Sequence, residues 1–118
     1  MNRLSIVAWI NDWQISVKLA KISELYSFDL YFFEDISQLL KIDTKILMII
    51  DKKNVNLKKL DEIKKLKNNK YIFILAYKSD LEKTNKSEYS INGYDMILNK
   101  KNLLKNIESI IKQVANAS

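Results

Sequence analysis

Five short apolar runs alternate along the chain with stretches whose apolar residues recur at helical spacing. The runs lie at residues 5–10, 30–33, 46–50, 71–76 and 96–98 and are rich in β-branched and aromatic side chains. Near-continuous apolarity over so few positions predicts strands buried on both faces. After the first run, Ile15, Leu19, Ile22 and Tyr26 share one helix face, with Asp12 placed to cap its start. Leu57, Leu60, Ile63 and Leu66 form a second stripe, flanked by Lys58, Lys59, Lys64 and Lys65. Leu103, Leu104, Ile107, Ile110, Ile111 and Val114 form a third, for which Asn102 is the expected cap. Residues 35–41 and 84–92 read as two shorter helices.

Five buried strands interleaved with five helices predict an α/β three-layer sandwich, because each parallel crossover needs a connecting element of about this size. The expected architecture is a five-stranded parallel sheet flanked by five helices. A chain of 118 residues fits one such domain, residues 1–118, without a linker or an internal repeat.

Composition then narrows the chemistry. With no Cys and no His, a thiolate zinc site, a disulfide framework, a Cys nucleophile and a histidine general base are all excluded. One glycine, Gly93, and no proline leave no glycine-rich phosphate cradle to write. The net charge of +6 rests on 19 Lys and a single Arg, and Ile and Asn are inflated alongside Lys, which reads as a general composition bias. Arginine forks and aromatic-interleaved basic patches are lacking, so nucleic acid is not the expected partner. The longest apolar runs are too short to span a bilayer, and the first residues lead straight into a strand. A soluble, cytoplasmic protein without a membrane contact is expected.

In a parallel sheet, ligands gather beyond the carboxyl ends of the strands. The residues that follow the predicted strands are Asn11 and Asp12, then Asp51, then Ala76, Tyr77 and Lys78, then Asn99, Lys100 and Lys101. Two carboxylates and a lysine from separate strand ends are therefore expected in one cleft.

Here the whole chain resembles the receiver domain of two-component response regulators. The segment Ile46-Leu-Met-Ile-Ile-Asp51 is similar to that family's hydrophobic third strand ending in the phosphoacceptor aspartate. Gly93-Tyr-Asp-Met-Ile-Leu-Asn-Lys100 is similar to the stretch ending in its lysine. The resemblance implies a flavodoxin-like (βα)5 topology and no enzymatic activity of the chain's own. It makes Asp51 the phosphoacceptor candidate, Lys100 the partner of Asp51 or its phosphoryl group, and Asn11, Asp12 and Asp51 the acidic pocket. One carboxylate of the usual acidic pair is then an amide, so a Mg²⁺ is expected to bind weakly, through Asp12 and Asp51. A rival register puts Ala8 and Trp9 at those positions and abolishes the metal site.

Other positions depart from the family pattern. Ala76, or Leu75 in a slipped register, stands where a switch hydroxyl is expected, with Ser79 the nearest alternative. Ile97 replaces the aromatic switch residue of the fifth strand. Lys101 takes the place of a proline, so a trans Lys100–Lys101 bond and a repositioned loop are expected. Lys52 and Lys53 read as a solvated loop, with the sharper alternative that, together with Lys100, they offset the carboxylate charge without a metal.

Two functional readings follow. In the first the chain is an atypical receiver with weak or lost phosphorylation that acts by protein–protein contact or as a homodimer. The expected surface is the fourth helix, fifth strand and last helix, residues 84–114, with Tyr89, Tyr94 and Lys105 exposed. In the alternative, the chain is a working Mg²⁺-dependent phosphoacceptor modified on Asp51 by a partner histidine kinase.

Overall fold

A computed structural model describes residues 3–79 and 93–117. Each apolar run is a strand: β1 (Leu4–Trp9), β2 (Asp29–Phe32), β3 (Lys45–Asp51), β4 (Ile72–Lys78) and β5 (Met96–Asn99). Between them lie α1 (Trp13–Tyr26), α2 (Ile36–Leu40), α3 (Leu57–Leu66) and, after β5, α4 (Lys100–Asn116); a short 3-10 turn, Lys52–Asn54, follows β3. The helix expected at residues 84–92, with Tyr89, lies outside the described residues.

The five strands pair in the order β2-β1-β3-β4-β5, all parallel. Successive side chains on a strand point to opposite faces, so runs that are apolar throughout supply two cores at once. Ile6, Ala8, Leu47, Ile49, Leu75 and Tyr77 meet Ile15, Leu19 and Ile22 of α1 and Leu103, Ile107 and Ile111 of α4. On the other face Val7, Met48, Ile50, Ile74, Ala76 and Ile97 meet Leu39 of α2 and Leu60 and Ile63 of α3. The result is the expected α/β/α layering. Each fully buried aliphatic side chain contributes about 1.5–3 kcal/mol of hydrophobic stabilisation, so α4 is anchored mainly by its stripe.

Local polar groups set the helix ends. Asp12, Asp35 and Asn56 accept from backbone N–H groups in the first turns of α1, α2 and α3. The cap of α4 is Asn99, which accepts from Asn102 N at 2.8 Å, and not Asn102 as expected. The chain therefore enters the helix directly from β5, and Lys100 and Lys101 form its first turn where a loop was expected. Their peptide bond is trans, as expected.

Two residues with positive φ mark turns. Gly93, at φ 71°, precedes β5, and a Cβ there would lie 2.5 Å from Lys64 Cε. Ser27 ends α1 at φ 59° with its N–H bonded to Ser23 O. An L side chain in this left-handed region costs about 1–2 kcal/mol, part of which glycine recovers against its own chain entropy. Ser27→Gly is expected to raise stability by about 0.5–1 kcal/mol, read as a higher urea midpoint.

Tyr94 corrects an expectation. It is buried in the core beneath α2 and α3, next to Ile97, and is not an exposed contact residue. Asp95 after it pins β5 to β4: its N–H donates to Ile74 O, its Oδ2 accepts from Ile74 N, and the same oxygen pairs with Lys67.

Candidate functional site

Parallel pairing brings the carboxyl ends of β1, β3, β4 and β5 to one edge of the sheet, which is where the chemistry-bearing side chains gather. Asp12 lies just beyond β1 in extended backbone. Its Oδ1 accepts from Gln14 N at 3.0 Å and Ile15 N at 3.2 Å. Its Oδ2 bonds Lys100 Nζ, from the first turn of α4, at 2.8 Å. The two side chains are 15% and 33% exposed, so the pair is partly shielded from water. Burial pushes the Asp12 pKa up, but the Lys100 ammonium and the helix N–H groups outweigh it and hold the carboxyl below its ordinary value.

Asp51 closes β3 and lies in register with Tyr77 of β4. Its Oδ1 accepts from Lys53 N at 3.0 Å and its Oδ2 from Asn54 Nδ2 at 3.2 Å. The Tyr77 ring is buried against the α1 and α4 core, and its hydroxyl has no well-formed hydrogen bond among the described residues. Burial first, and then the negative charges of Asp51 and Asp12, push the phenol well above its ordinary pKa. Tyr77 is thus a neutral wedge within electrostatic reach of both carboxylates.

The expected site residues divide accordingly. Asp12, Asp51 and Lys100 come to one edge, but the ion pair Lys100 makes is with Asp12. Asn11 is exposed and makes no hydrogen bond among the described residues. Ala8 and Trp9 are the last two residues of β1, Ala8 in the core and Trp9 stacked near Phe33 with ring centroids 4.8 Å apart, and the side chain that reaches Lys100 is that of Asp12, from beyond the strand. Ala76 and Ile97 sit side by side in the opposite core, because strand parity turns them away from Tyr77. The side chain next to Asp51 on β4 is therefore Tyr77, where Ala76 or Leu75 was expected. Ser79 is exposed beyond the strand.

Lys53 touches Asp51 through its backbone N–H, with its side chain in solvent; Lys52 is half-buried and Lys101 exposed. The segment after Asp51 is a capped 3-10 turn and not an open loop. Sequence reasoning placed Tyr77 and Lys78 at the end of the fourth strand without giving either a role, and it missed Asn54 and the burial of Lys78. A parity count from Asp51 across the neighbouring strand would have exposed the role of Tyr77, and the Asp-x-x-Asn spacing that of Asn54.

A Mg²⁺ ion takes near-octahedral oxygen ligands and usually one or two carboxylates. All four carboxylate oxygens of Asp12 and Asp51 are already engaged, and a cation at Asp12 must displace the Lys100 ammonium. No group of three acidic ligands occurs among the described residues. These residues fit a resident Mg²⁺ poorly.

The chain matches no family model, and no curated protein matches it. Among solved structures it is similar in fold to the lysine decarboxylase LdcF of Francisella novicida, with a TM-score of 0.61 and 13% identity. That similarity covers 97% of this chain and 17% of the decarboxylase, so the chain spans about a sixth of the length of the protein it matches. At that identity the likeness defines the class alone, an α/β protein built on a parallel five-stranded sheet. No helix among the described residues is long and apolar enough to cross a membrane.

Proposed function

We propose that the chain is a receiver-like signalling module whose phosphoryl chemistry is weakened or lost and which acts in the cytoplasm by contact with a partner protein. In this reading the fold is the flavodoxin-like (βα)5 arrangement. The observation that carries it is the 2.8 Å bond between Lys100 Nζ and Asp12 Oδ2. Phosphoryl transfer to Asp51 requires its carboxylate to attack in line while cations neutralise the equatorial oxygens. Lys100 instead neutralises Asp12, and Asp51 is committed to its own turn through Lys53 N and Asn54. The neighbouring group on β4 is a phenol wedged in the core, too large to follow a phosphoryl oxygen as a small hydroxyl does. These features support a site locked by internal charge compensation. The output is then a constitutive surface, either residues 84–114 with exposed Lys105 or another face, and not a phosphorylation-dependent rearrangement.

The test is to incubate the protein with Mg²⁺ at millimolar concentration and acetyl phosphate or beryllofluoride, and then record intact mass and amide chemical shifts. No adduct and no shift at Asp12, Asp51 or Lys100 is the expected result. A stoichiometric adduct that disappears in Asp51→Asn would establish the working phosphoacceptor instead.

A further inference from the structure

The two edge strands of the sheet differ in cover. No residue of β5 is exposed, whereas Asp29, Tyr31 and Phe32 of β2 are. The aromatic run whose apolarity predicts burial on both faces therefore lies on an open edge, with Phe32 50% exposed. Open edges are ordinarily guarded by charged residues, lysine above all. Residues 22–40 contain no lysine or arginine, in a chain that has 19 Lys.

The hydrogen bonds already made define what this edge has left. Phe33 N donates to Ala8 O at 2.9 Å. Backbone groups alternate sides along a strand, so those of Asp29 and Tyr31 face β1 while those of Leu30 and Phe32 face outward. Gln38 closes the carboxyl end of the edge: its Nε2 donates to Phe32 O and its Oε1 accepts from Glu34 N, both at 3.0 Å. At the amino end, Phe28 N is spent on Ser23 O. Three outward groups of β2 have no partner among the described residues, namely Leu30 N–H, Leu30 C=O and Phe32 N–H.

We propose that this edge joins two copies of the chain, β2 pairing antiparallel with its equivalent about a two-fold axis at Leu30. That register uses the three free groups. Leu30 exchanges both backbone bonds with the partner's Leu30, and Phe32 N–H meets the carbonyl of the partner's Phe28. The complementary bond, from Phe28 N to the partner's Phe32 O, is not needed, because Ser23 and Gln38 already satisfy those two atoms. An axis at Tyr31 would instead spend Leu30 N–H on a Phe32 carbonyl that Gln38 holds. Opposed residues share a face, so Phe28 lies against the partner's Phe32 and Asp29 against the partner's Tyr31, and no carboxylate faces another. Antiparallel pairing also carries Glu34 and Asp35 to the partner's amino end, where the Arg3 side chain is 76% exposed. The unspent groups, the register and the opposite charges at the two ends are all contained in this chain, which favours a second copy over a foreign strand. The inference rests on the sheet edge alone, so its failure leaves the phosphoryl assay to stand or fall separately.

The test is sedimentation equilibrium of the whole chain from about 1 μM to about 1 mM, with a mass rising from 13.9 kDa toward twice that value as the expected result. Phe32→Pro removes an N–H that β1 does not use, and Phe32→Lys adds an edge charge; each should weaken association at least about tenfold. Far-UV spectra at the lowest concentration confirm that the variants fold. The register is read by disulfide trapping, since the chain has no cysteine of its own. Opposed Leu30 positions lie about 5.5 Å apart between Cα atoms, within disulfide reach, so Leu30→Cys should oxidise to a covalent dimer. Phe32 and the partner's Phe32 are offset by roughly 13 Å along the strands, so Phe32→Cys should stay monomeric under the same oxidant. The proposal is overturned if the mass remains that of one chain throughout, or if both Phe32→Pro and Phe32→Lys associate like wild type. It is equally overturned if Leu30→Cys does not cross-link, or if Phe32→Cys cross-links as readily.

Discussion

Replacing Tyr77 by alanine is expected to cost about 3–5 kcal/mol, the range for removing a buried aromatic ring from a packed core. The ring lies among Ala8, Leu75 and the apolar faces of α1 and α4, at the point where four strand ends converge. A domain of this length is stable by roughly 6–18 kcal/mol at 0.05–0.15 kcal/mol per residue, so the alanine variant loses a large share of its margin. Tyr77→Phe should behave differently. It removes a buried hydroxyl that lacks a well-formed hydrogen bond, and a change of no more than about 1 kcal/mol is expected. Urea denaturation of the two variants separates ring from hydroxyl. An alanine variant as stable as wild type would mean that the ring is not the wedge described above. A phenylalanine variant as damaged as the alanine one would mean that the hydroxyl, through Asp51, holds the site together.

Asp12→Ala should be the second most disruptive change at the site. Loss of the α1 cap costs about 1 kcal/mol. Removing a charged hydrogen bond adds roughly 1–2 kcal/mol once the one-third exposure of Lys100 is discounted. The expected total is about 2–3 kcal/mol in urea unfolding. Asp12→Asn keeps an oxygen for Gln14 N and Ile15 N but loses the charge, and about 1 kcal/mol of destabilisation is expected.

The pH dependence follows from the sign of the shift. The folded-state pKa of Asp12 is depressed, so its contribution is fully present above the ordinary carboxylate pKa and is lost as pH falls through the folded value. The stability gap between wild type and Asp12→Asn should therefore be constant near neutrality and shrink as the solution is made more acidic than the ordinary Asp pKa. Asp35 is also depressed, by Ser37 and Gln38 N, but its effect is common to both proteins and cancels in the difference. A gap that persists to the most acid conditions would remove the electrostatic role assigned to the Asp12–Lys100 pair.

The two variants together ask whether the site is held by packing or by charge. In the receiver-like reading it is both. Tyr77 occupies the space beside Asp51, and Lys100 supplies the positive charge at Asp12. A module built this way keeps one conformation without a phosphoryl group.

Much of this was legible in the order of residues. Apolar runs located all five strands to within two residues, and the spacing of Ile15, Leu19, Ile22 and of Leu103, Ile107, Ile111 located the helices, because periodicity is a local property of the chain. The cap at Asp12 was readable for the same reason. Asp12, Asp51 and Lys100 were placed at strand ends, and parallel pairing was enough to send those ends to one edge. What pairing alone leaves open is which atoms meet. That Lys100 bonds Asp12, that strand parity turns Ala76 and Ile97 away and presents Tyr77 to the carboxylates, that Tyr94 is buried, and that α4 begins at Lys100 under an Asn99 cap were decided by the tertiary structure. Each depends on the register between neighbouring strands or on the packing of helices across them, and such relations join residues too far apart in the chain for any local pattern to carry.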